Sequence, residues 1–276
     1  MGILYLVATP IGNLEDVTLR ALRVLSQVGL IAAEDTRHTR KLLTHYQIPA
    51  RLISYHEHNK LTRLEQVLEA LAGGDVALVS DAGTPGLSDP GYELVRAALD
   101  AGHAVSPIPG ASAPAAALVA SGLPTDAFVF VGYLPRRSQE RRKAMAAVAS
   151  ESRTLIAFEV PHRLRESLAD LEDVLGPERS IAVCRELTKV HEEIVRGPIA
   201  EVRRTVDAVP PRGEITLVIG GAAPRGRWSE TAVREALAEK RAAGIGRSEA
   251  ARQVAGASGW ERRLVYRLAG ENHEPG

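Results

Sequence analysis

A chain of 276 residues is long enough for two modest domains with cores of their own and a small appendage. Its 45% hydrophobic content is that of a globular protein, and 34 basic residues balance 34 acidic ones, so no global field draws it to nucleic acid and any RNA affinity must come from local patches. A single cysteine, Cys184, excludes a disulfide within the chain, and no apolar run approaches the roughly 18 residues of a membrane span, so the expectation is a protein of the reducing cytoplasm, neither secreted nor membrane-inserted.

Up to Ser121, short β-branched runs alternate with amphipathic stretches. Strands are predicted at Ile3–Ala8, Leu30–Ala33, Arg51–Ser54, Val76–Ser80 and Ala104–Ile108, and helices at Leu19–Val28, Thr36–Leu43, Leu61–Ala72 and Tyr92–Ala101, with an alanine-rich helix through Ala120. This order implies right-handed βαβ units in a parallel sheet. From Phe128 a second series predicts strands Phe128–Gly132, Thr154–Glu159, Ile181–Arg185, Glu193–Arg196 and Ile215–Ile219; the close spacing of the third and fourth points to antiparallel pairing and a mixed sheet. Cys184 falls in an apolar strand and reads as a buried thiol. Gly122 to Asp126 is the expected hinge between the two halves, and the linker Ala222 to Arg227 leads to helical segments Ser229–Ala242, Ser248–Val254 and Glu261–Leu268, with Gly256-Ala257-Ser258-Gly259 as a turn. The expected domains are therefore 1–121, 126–221 and 227–270.

Three loops stand out. Ser80 to Gly91 joins a buried-looking strand to a helix through three glycines, two prolines and two aspartates, and is roughly twice as long as the usual connection of about 2–6 residues. Ala8 to Asp16 and Pro107 to Pro114 have the same character. In a doubly wound sheet all three would line one crevice outside the carboxyl ends of the strands. No Walker or dinucleotide fingerprint is present, so the crevice suits an adenosine-sized ligand without a phosphate grip. The stretch Pro135 to Lys143 holds five cations in nine residues, Arg136, Arg137, Arg141, Arg142 and Lys143, and reads as a phosphate-contacting patch. Arg262, Arg263 and Arg267 near the end suit either RNA phosphates or a solvated face. His56-Glu57-His58 is the closest pairing of metal-ligand type, but no further ligand follows at a suitable spacing, and no metal is expected.

Thr9-Pro10-Ile11-Gly12-Asn13-Leu14, Ala33-Glu34-Asp35-Thr36-Arg37, Ser80 to Gly91, Pro109-Gly110-Ala111-Ser112, Pro161-His162-Arg163 and Arg185-Glu186-Leu187-Thr188-Lys189 follow one another in an order that resembles the ribosomal RNA small subunit methyltransferase I family, across nearly the whole chain from Ile3 to about Leu268. Ala157-Phe158-Glu159-Val160 stands where that family usually reads Phe-Tyr-Glu-Ser or Ala. The resemblance implies an α/β, two-domain tetrapyrrole methylase fold, with a parallel-sheet N-domain, a mixed-sheet C-domain and a helical appendage. It implies methylation of a cytidine ribose 2′-hydroxyl in 16S rRNA of the small ribosomal subunit, with S-adenosylmethionine as cofactor, and a homodimer. On this reading Pro10, Asp81, Ala82, Gly83, Thr84, Gly110, Ser112 and Ala113 hold the cofactor. Arg37 and Arg163 join the Arg136 to Lys143 cluster as RNA contacts. A ribose hydroxyl is a weak nucleophile, so a base helps, and the candidates are Glu34, Glu159 and His162, with Asp35 divided between base and helix cap. The competing readings are a small-molecule tetrapyrrole methylase and an RNA-binding assembly factor without turnover.

Overall fold

The computed structural model describes residues 2–208, 212–222 and 228–270, which fall into two compact units. The first comprises the chain to Ala147 together with Thr154–Gly220 and carries both sheets; the second comprises Val148–Arg153 and the chain from Gly221.

The first sheet is built from β1 (Ile3–Val7), α1 (Leu19–Gln27), β2 (Leu30–Ala33), α2 (Thr36–His45), β3 (Leu52–Ser54), α3 (Lys60–Gly73), β4 (Val76–Val79), α4 (Tyr92–Asp100) and β5 (Ala104–Ile108). Its order is β3-β2-β4-β1-β5, and every pair is parallel, as the alternation of strands and helices requires. A parallel sheet is covered on both faces, which is why β2 and β4 are apolar and buried at every position. Val24, Leu25, Leu42 and Leu43 close one face over Ile31, Ala77 and Val79; Val67, Leu71, Leu94 and Ala98 close the other over Leu4, Ala32 and Leu78. Caps fix two helix starts: Thr18 Oγ1 accepts from the Ala21 N–H, and Asp35 Oδ1 accepts from the Arg37 N–H.

The second sheet follows through α5 (Ala113–Ser121), β6 (Phe128–Tyr133), α6 (Ser138–Ala147), β7 (Thr154–Glu159), α7 (Leu164–Leu175), β8 (Ser180–Arg185), β9 (Glu193–Pro198), α8 (Ile199–Ala208) and β10 (Ile215–Ile219). Its order is β6-β7-β10-β8-β9, with β6 and β7 parallel and the remaining pairs antiparallel, so the mixed sheet is as expected. Ala117 and Leu118 of α5 share a buried cluster with Ile156, Ala182, Cys184 and Val218 of this sheet and with Ile11 of the first loop. The helix that starts at the edge of the first sheet is thus seated on the second. Cys184 is buried and unpaired, and burial raises its thiol to about 11.

The second unit carries α9 (Glu230–Ala242), α10 (Arg247–Ser258) and α11 (Arg262–Leu268) around Val233, Leu237, Ala251, Val254 and Val265. The expected turn at Gly256 to Gly259 is corrected here. Gly256, Ala257 and Ser258 continue α10, and only Gly259, at φ 67°, leaves it in the left-handed conformation that suits glycine. Of the linker, Ala223 to Arg227 lie outside the described residues. No described helix is long and apolar enough to cross a membrane.

Candidate active site

Parallel strands place their following loops on one edge, and four of these loops converge. Ile11 follows β1, Glu34 follows β2, Asp81 to Asp89 follow β4, and Ser112 to Pro114 follow β5 and open α5; with residues from the second sheet they enclose a cavity of ≈ 330 Å³. That size falls within the range of about 300–1,000 Å³ typical of cofactor sites. The opposite wall is Tyr133, Phe158 to Pro161, Cys184, Leu187 and Glu214 to Thr216.

Backbone pairing holds the loops in place. Thr9 and Gly83 exchange both backbone hydrogen bonds at 2.9 Å, and Thr84 Oγ1 donates to the Ala111 carbonyl. Gly83 sits at φ 81°, where a Cβ would also come within 3.3 Å of Ile11 Cγ2, so any side chain is strained there and intrudes on the cavity. Gly110 has a different reason to be glycine: a Cβ would lie 3.0 Å from Ala8 Cβ, so it lets two loops approach each other and does not itself line the cavity. Pro10 is likewise absent from the lining, and Ile11 takes the place expected of it. Asp81, Ala82, Gly83, Thr84, Ser112 and Ala113 all line it.

The electrostatics are one-sided. Five carboxylates, Glu34, Asp81, Asp89, Glu159 and Glu214, line the cavity, and no Lys, Arg or His does. Asp81 Oδ1 accepts from the Asp35 N–H at 2.9 Å, and Asp81 N–H donates to Glu34 Oε2 at 3.2 Å, tying the β2 and β4 loops together. Burial raises the Glu34 carboxyl above its usual range, and the charges of Asp81 and Asp35 add to this. Burial first, then the Glu34 charge, pushes Asp89 up to about 6. Burial, followed by the charge of Asp89, raises the Tyr133 phenol as well. Such a cluster favours a positively charged ligand, and Asp89, at about 6, exchanges its proton near neutrality.

The other candidate bases separate on geometry. Glu159 is buried with both oxygens engaged: Oε1 takes the Arg163 guanidinium at 2.8 Å and the Val160 N–H at 2.7 Å, and Oε2 takes the Ser167 hydroxyl. These three contacts make it a structural anchor, and Arg163 is committed to it with its side chain 14% exposed. His162 is exposed in a 3-10 turn and does not line the cavity. Asp35 caps α2 and binds Arg37 through both oxygens, which holds its carboxyl well below the usual range. Arg37 is exposed and held by that pair. Glu34 remains, and Asp89 joins it. In the sequence Asp89 is legible only as a polar loop residue, because the burial and the Glu34 charge that raise its carboxyl come with the fold.

The basic stretch also divides. Arg141 is fully buried; its Nε and Nη2 reach Asp170 Oδ2 at 2.8 and 2.6 Å, and Nη1 donates to the carbonyls of Pro135 and Arg136. Its place in the phosphate patch is corrected: it clamps α6 to α7. Arg142 pairs with Asp173 and Asp170, and Arg137 with Glu140 at 3.4 Å. Arg136 and Lys143 are exposed and make no ion pair among the described residues. No group of three or more metal-ligating side chains occurs among the described residues, His56 and His58 included.

A family model described as Tetrapyrrole (Corrin/Porphyrin) Methylases matches residues 3–203. A Synechocystis protein named ribosomal RNA small subunit methyltransferase I is 52% identical over 98% of both chains. Proteins of the same name from Halalkalibacterium halodurans and Pseudomonas aeruginosa are 46% and 47% identical, each over 97% of this chain and over 94% and 96% of their own. Among solved structures, a uroporphyrin-III C-methyltransferase from Thermus thermophilus complexed with S-adenosyl homocysteine is similar with a TM-score of 0.55 and 22% identity, over 79% of this chain and 97% of that one. The methyltransferase CobJ gives 0.62 at 20% identity, over 81% and 95%. At these identities the solved structures establish the fold, including the expected two-sheet architecture.

Proposed function

Because this chain belongs to the tetrapyrrole methylases, and within them to the ribosomal RNA small subunit methyltransferase I family, we propose that it transfers a methyl group from S-adenosylmethionine to a cytidine ribose 2′-hydroxyl in 16S rRNA. The observation that carries the reading is the cavity itself, nucleoside-sized, floored by Ile11 and Gly83 and lined by carboxylates without a cation. When bound, S-adenosylmethionine supplies a methyl group on a sulfonium centre. Asp81 to Thr84 and Ser112 to Ala113 hold it, and the negative cavity favours its net positive charge over the neutral thioether product.

Methyl transfer is an in-line displacement, so the chain's main task is to fix the donor and the ribose oxygen in near-attack geometry. Glu34 and Asp89 are the acceptors for the hydroxyl proton, and Asp89, at about 6, is ionised at neutral pH while still basic enough to assist. A polyanion is repelled from the acidic interior, so phosphate contacts belong outside it. Arg136 and Lys143 supply them. The same reading places the enzyme in the cytoplasm with the ribosomal subunit, as a homodimer; sedimentation equilibrium at micromolar concentration gives a dimer, and a monomer overturns that part.

The test is incubation with methyl-labelled S-adenosylmethionine and either deproteinised 16S rRNA or small-subunit particles, followed by nuclease mapping. The expected label is alkali-stable and on the ribose of one cytidine. Label on a base, or transfer only to a tetrapyrrole, overturns the proposal.

A further inference from the structure

Tyr133 ends β6, the edge strand of the second sheet, at a point where the strand changes face. Phe130 pairs with Ile156 of β7, but the next pairing is Tyr133 with Phe158, so three steps along β6 are matched by two along β7. One extra residue has entered the strand. Side chains alternate with period two, so without that bulge Tyr133 would lie on the face opposite Phe130; with it the two share a face. The shared face is the one that looks into the cavity, because Ile156, opposite Phe130, belongs to the buried cluster of Ile11, Ala117 and Cys184. Gly132 carries the kink at φ 71°, a conformation that residues with a Cβ avoid, and Ser88 Oγ of the β4 loop lies 3.5 Å from where its Cβ would stand. The bulge thus sits against the loop that holds Asp89.

What the bulge delivers is an open ring over two others. Phe130 and Phe158 pack edge to face with centroids 5.1 Å apart, and Tyr133 lies across Phe158 at 5.2 Å with the planes tilted by 54°. The chain has three phenylalanines, all on β6 and β7, so its aromatic surface is concentrated here. A ring placed for packing alone would be covered, whereas Tyr133 lines the cavity and is 56% exposed. Charge decides what can lie on it. The cavity is lined by five carboxylates and no cation, so a phosphate is repelled from it, and the uncharged parts of a nucleotide, base and ribose, are what can enter. The first-sheet loops take the cofactor, which leaves the opposite wall, Tyr133 and Phe158 included, for the acceptor. Arg136 follows Tyr133 by three residues, at most about 11 Å of chain, and is exposed, so a phosphate can be held beside the ring and outside the acidic interior. Bases splayed from single-stranded RNA stack on such rings.

We propose that Tyr133 is the stacking platform for the base of the target nucleotide: with Phe158 beneath it, the ring takes a base drawn out of the RNA and so brings the attached ribose 2′-hydroxyl to face the cofactor loops. The inference rests on the cavity being the methyl-transfer site, and it accounts for a bulge that the sheet itself does not need.

Tyr133→Leu keeps the bulk and removes the π-face, and Tyr133→Phe keeps the ring. Because the side chain is largely exposed, both should melt with the parent. With small-subunit particles as substrate, Tyr133→Leu should lower kcat/KM for methyl transfer by about 5- to 150-fold, the factor that loss of one base–aromatic stack produces, and Tyr133→Phe should recover most of it. The Kd for S-adenosylmethionine, read by calorimetry, should stay at the parent value in Tyr133→Leu; a weakened Kd with an unchanged KM for RNA would put the ring on the cofactor and overturn the proposal. A Tyr133→Phe protein as impaired as Tyr133→Leu would overturn it too, since the hydroxyl and not the stack would then matter. Binding without turnover is read in the unaltered full-length protein from tyrosine-ring carbon-13 spectra, titrated with a cytidine trinucleotide in the presence of S-adenosylhomocysteine. The Tyr133 signal, identified by its loss in Tyr133→Leu, should shift as the base stacks. If that signal shifts but no rRNA is methylated, the proposed function fails and the platform stands. If rRNA is methylated and neither the signal nor kcat/KM in Tyr133→Leu responds, the platform is overturned and the function stands.

Discussion

Replacing Arg141 by Met separates the two jobs found within the basic stretch. Arg141 is wholly buried, and its guanidinium gives Asp170 two contacts, at 2.8 and 2.6 Å. After Arg141→Met, Asp170 keeps the Ser138 hydroxyl at 2.9 Å and a distant Arg142 at 3.5 Å, too little for a carboxylate whose side chain is 9% exposed. Breaking one side of a buried ion pair costs about 3–5 kcal/mol, and the surviving Ser138 contact places this case near about 3 kcal/mol. For a unit of this size each kcal/mol moves the melting temperature by about 2–4 °C, so Arg141→Met should melt about 6–12 °C below the parent, while the pair Arg141→Met with Asp170→Leu recovers most of the loss. The contrasting variant is Arg136→Ala with Lys143→Ala, both exposed and unpaired among the described residues. It should melt with the parent, bind RNA more weakly and lower the log–log salt slope by about 0.7–0.9 for each lost contact. Its KM for RNA should rise with kcat changed far less, because positioning cations bind ground and transition states alike. Calorimetric melts and RNA titrations over a salt series measure both. An Arg141→Met protein that melts with the parent yet loses RNA affinity would refute the division.

How the chain folds was legible where the pattern is local. The parallel sheet follows from apolar runs such as Leu30–Ala33 and Val76–Val79 separated by amphipathic helices, and the loop glycines and prolines mark the cavity edge in the sequence itself. What escaped depends on partners that only the fold brings together. Nothing near Arg141 reveals that Asp170, 29 residues on, will bury it. Glu159 reads as a free carboxylate until Ser167 and Arg163, one helical turn further, close on it. Asp89 is raised by burial and then by the charge of Glu34, which follows a different strand. The end of α10 was misplaced because Gly256 resembles a breaker, whereas buried Val254 and Ser258 on either side keep the helix going to Gly259.

Two further outcomes test the cavity. Gly83→Val places a branched side chain at φ 81° against Ile11, so calorimetry should find binding of S-adenosylmethionine abolished, with a melting loss no larger than the roughly 1–2 kcal/mol of left-handed strain; unchanged affinity would remove the loop from the site. The pH dependence of Asp89 has a definite sign. Its folded carboxyl is raised from 3.8 to about 6, so the stability linked to it is complete below 3.8 and is lost as pH rises through about 6. Asp89→Asn should therefore melt close to the parent near pH 4 and above it at pH 8. Ligand binding runs the other way, because the ionised cavity attracts the sulfonium. The preference for S-adenosylmethionine over S-adenosylhomocysteine should grow in the parent as pH rises through about 6 and stay flat in Asp89→Asn. A parent preference that is constant from pH 5 to 8 would mean that the carboxylates do not sense the sulfonium charge, and the electrostatic argument for what occupies the cavity would fall with it.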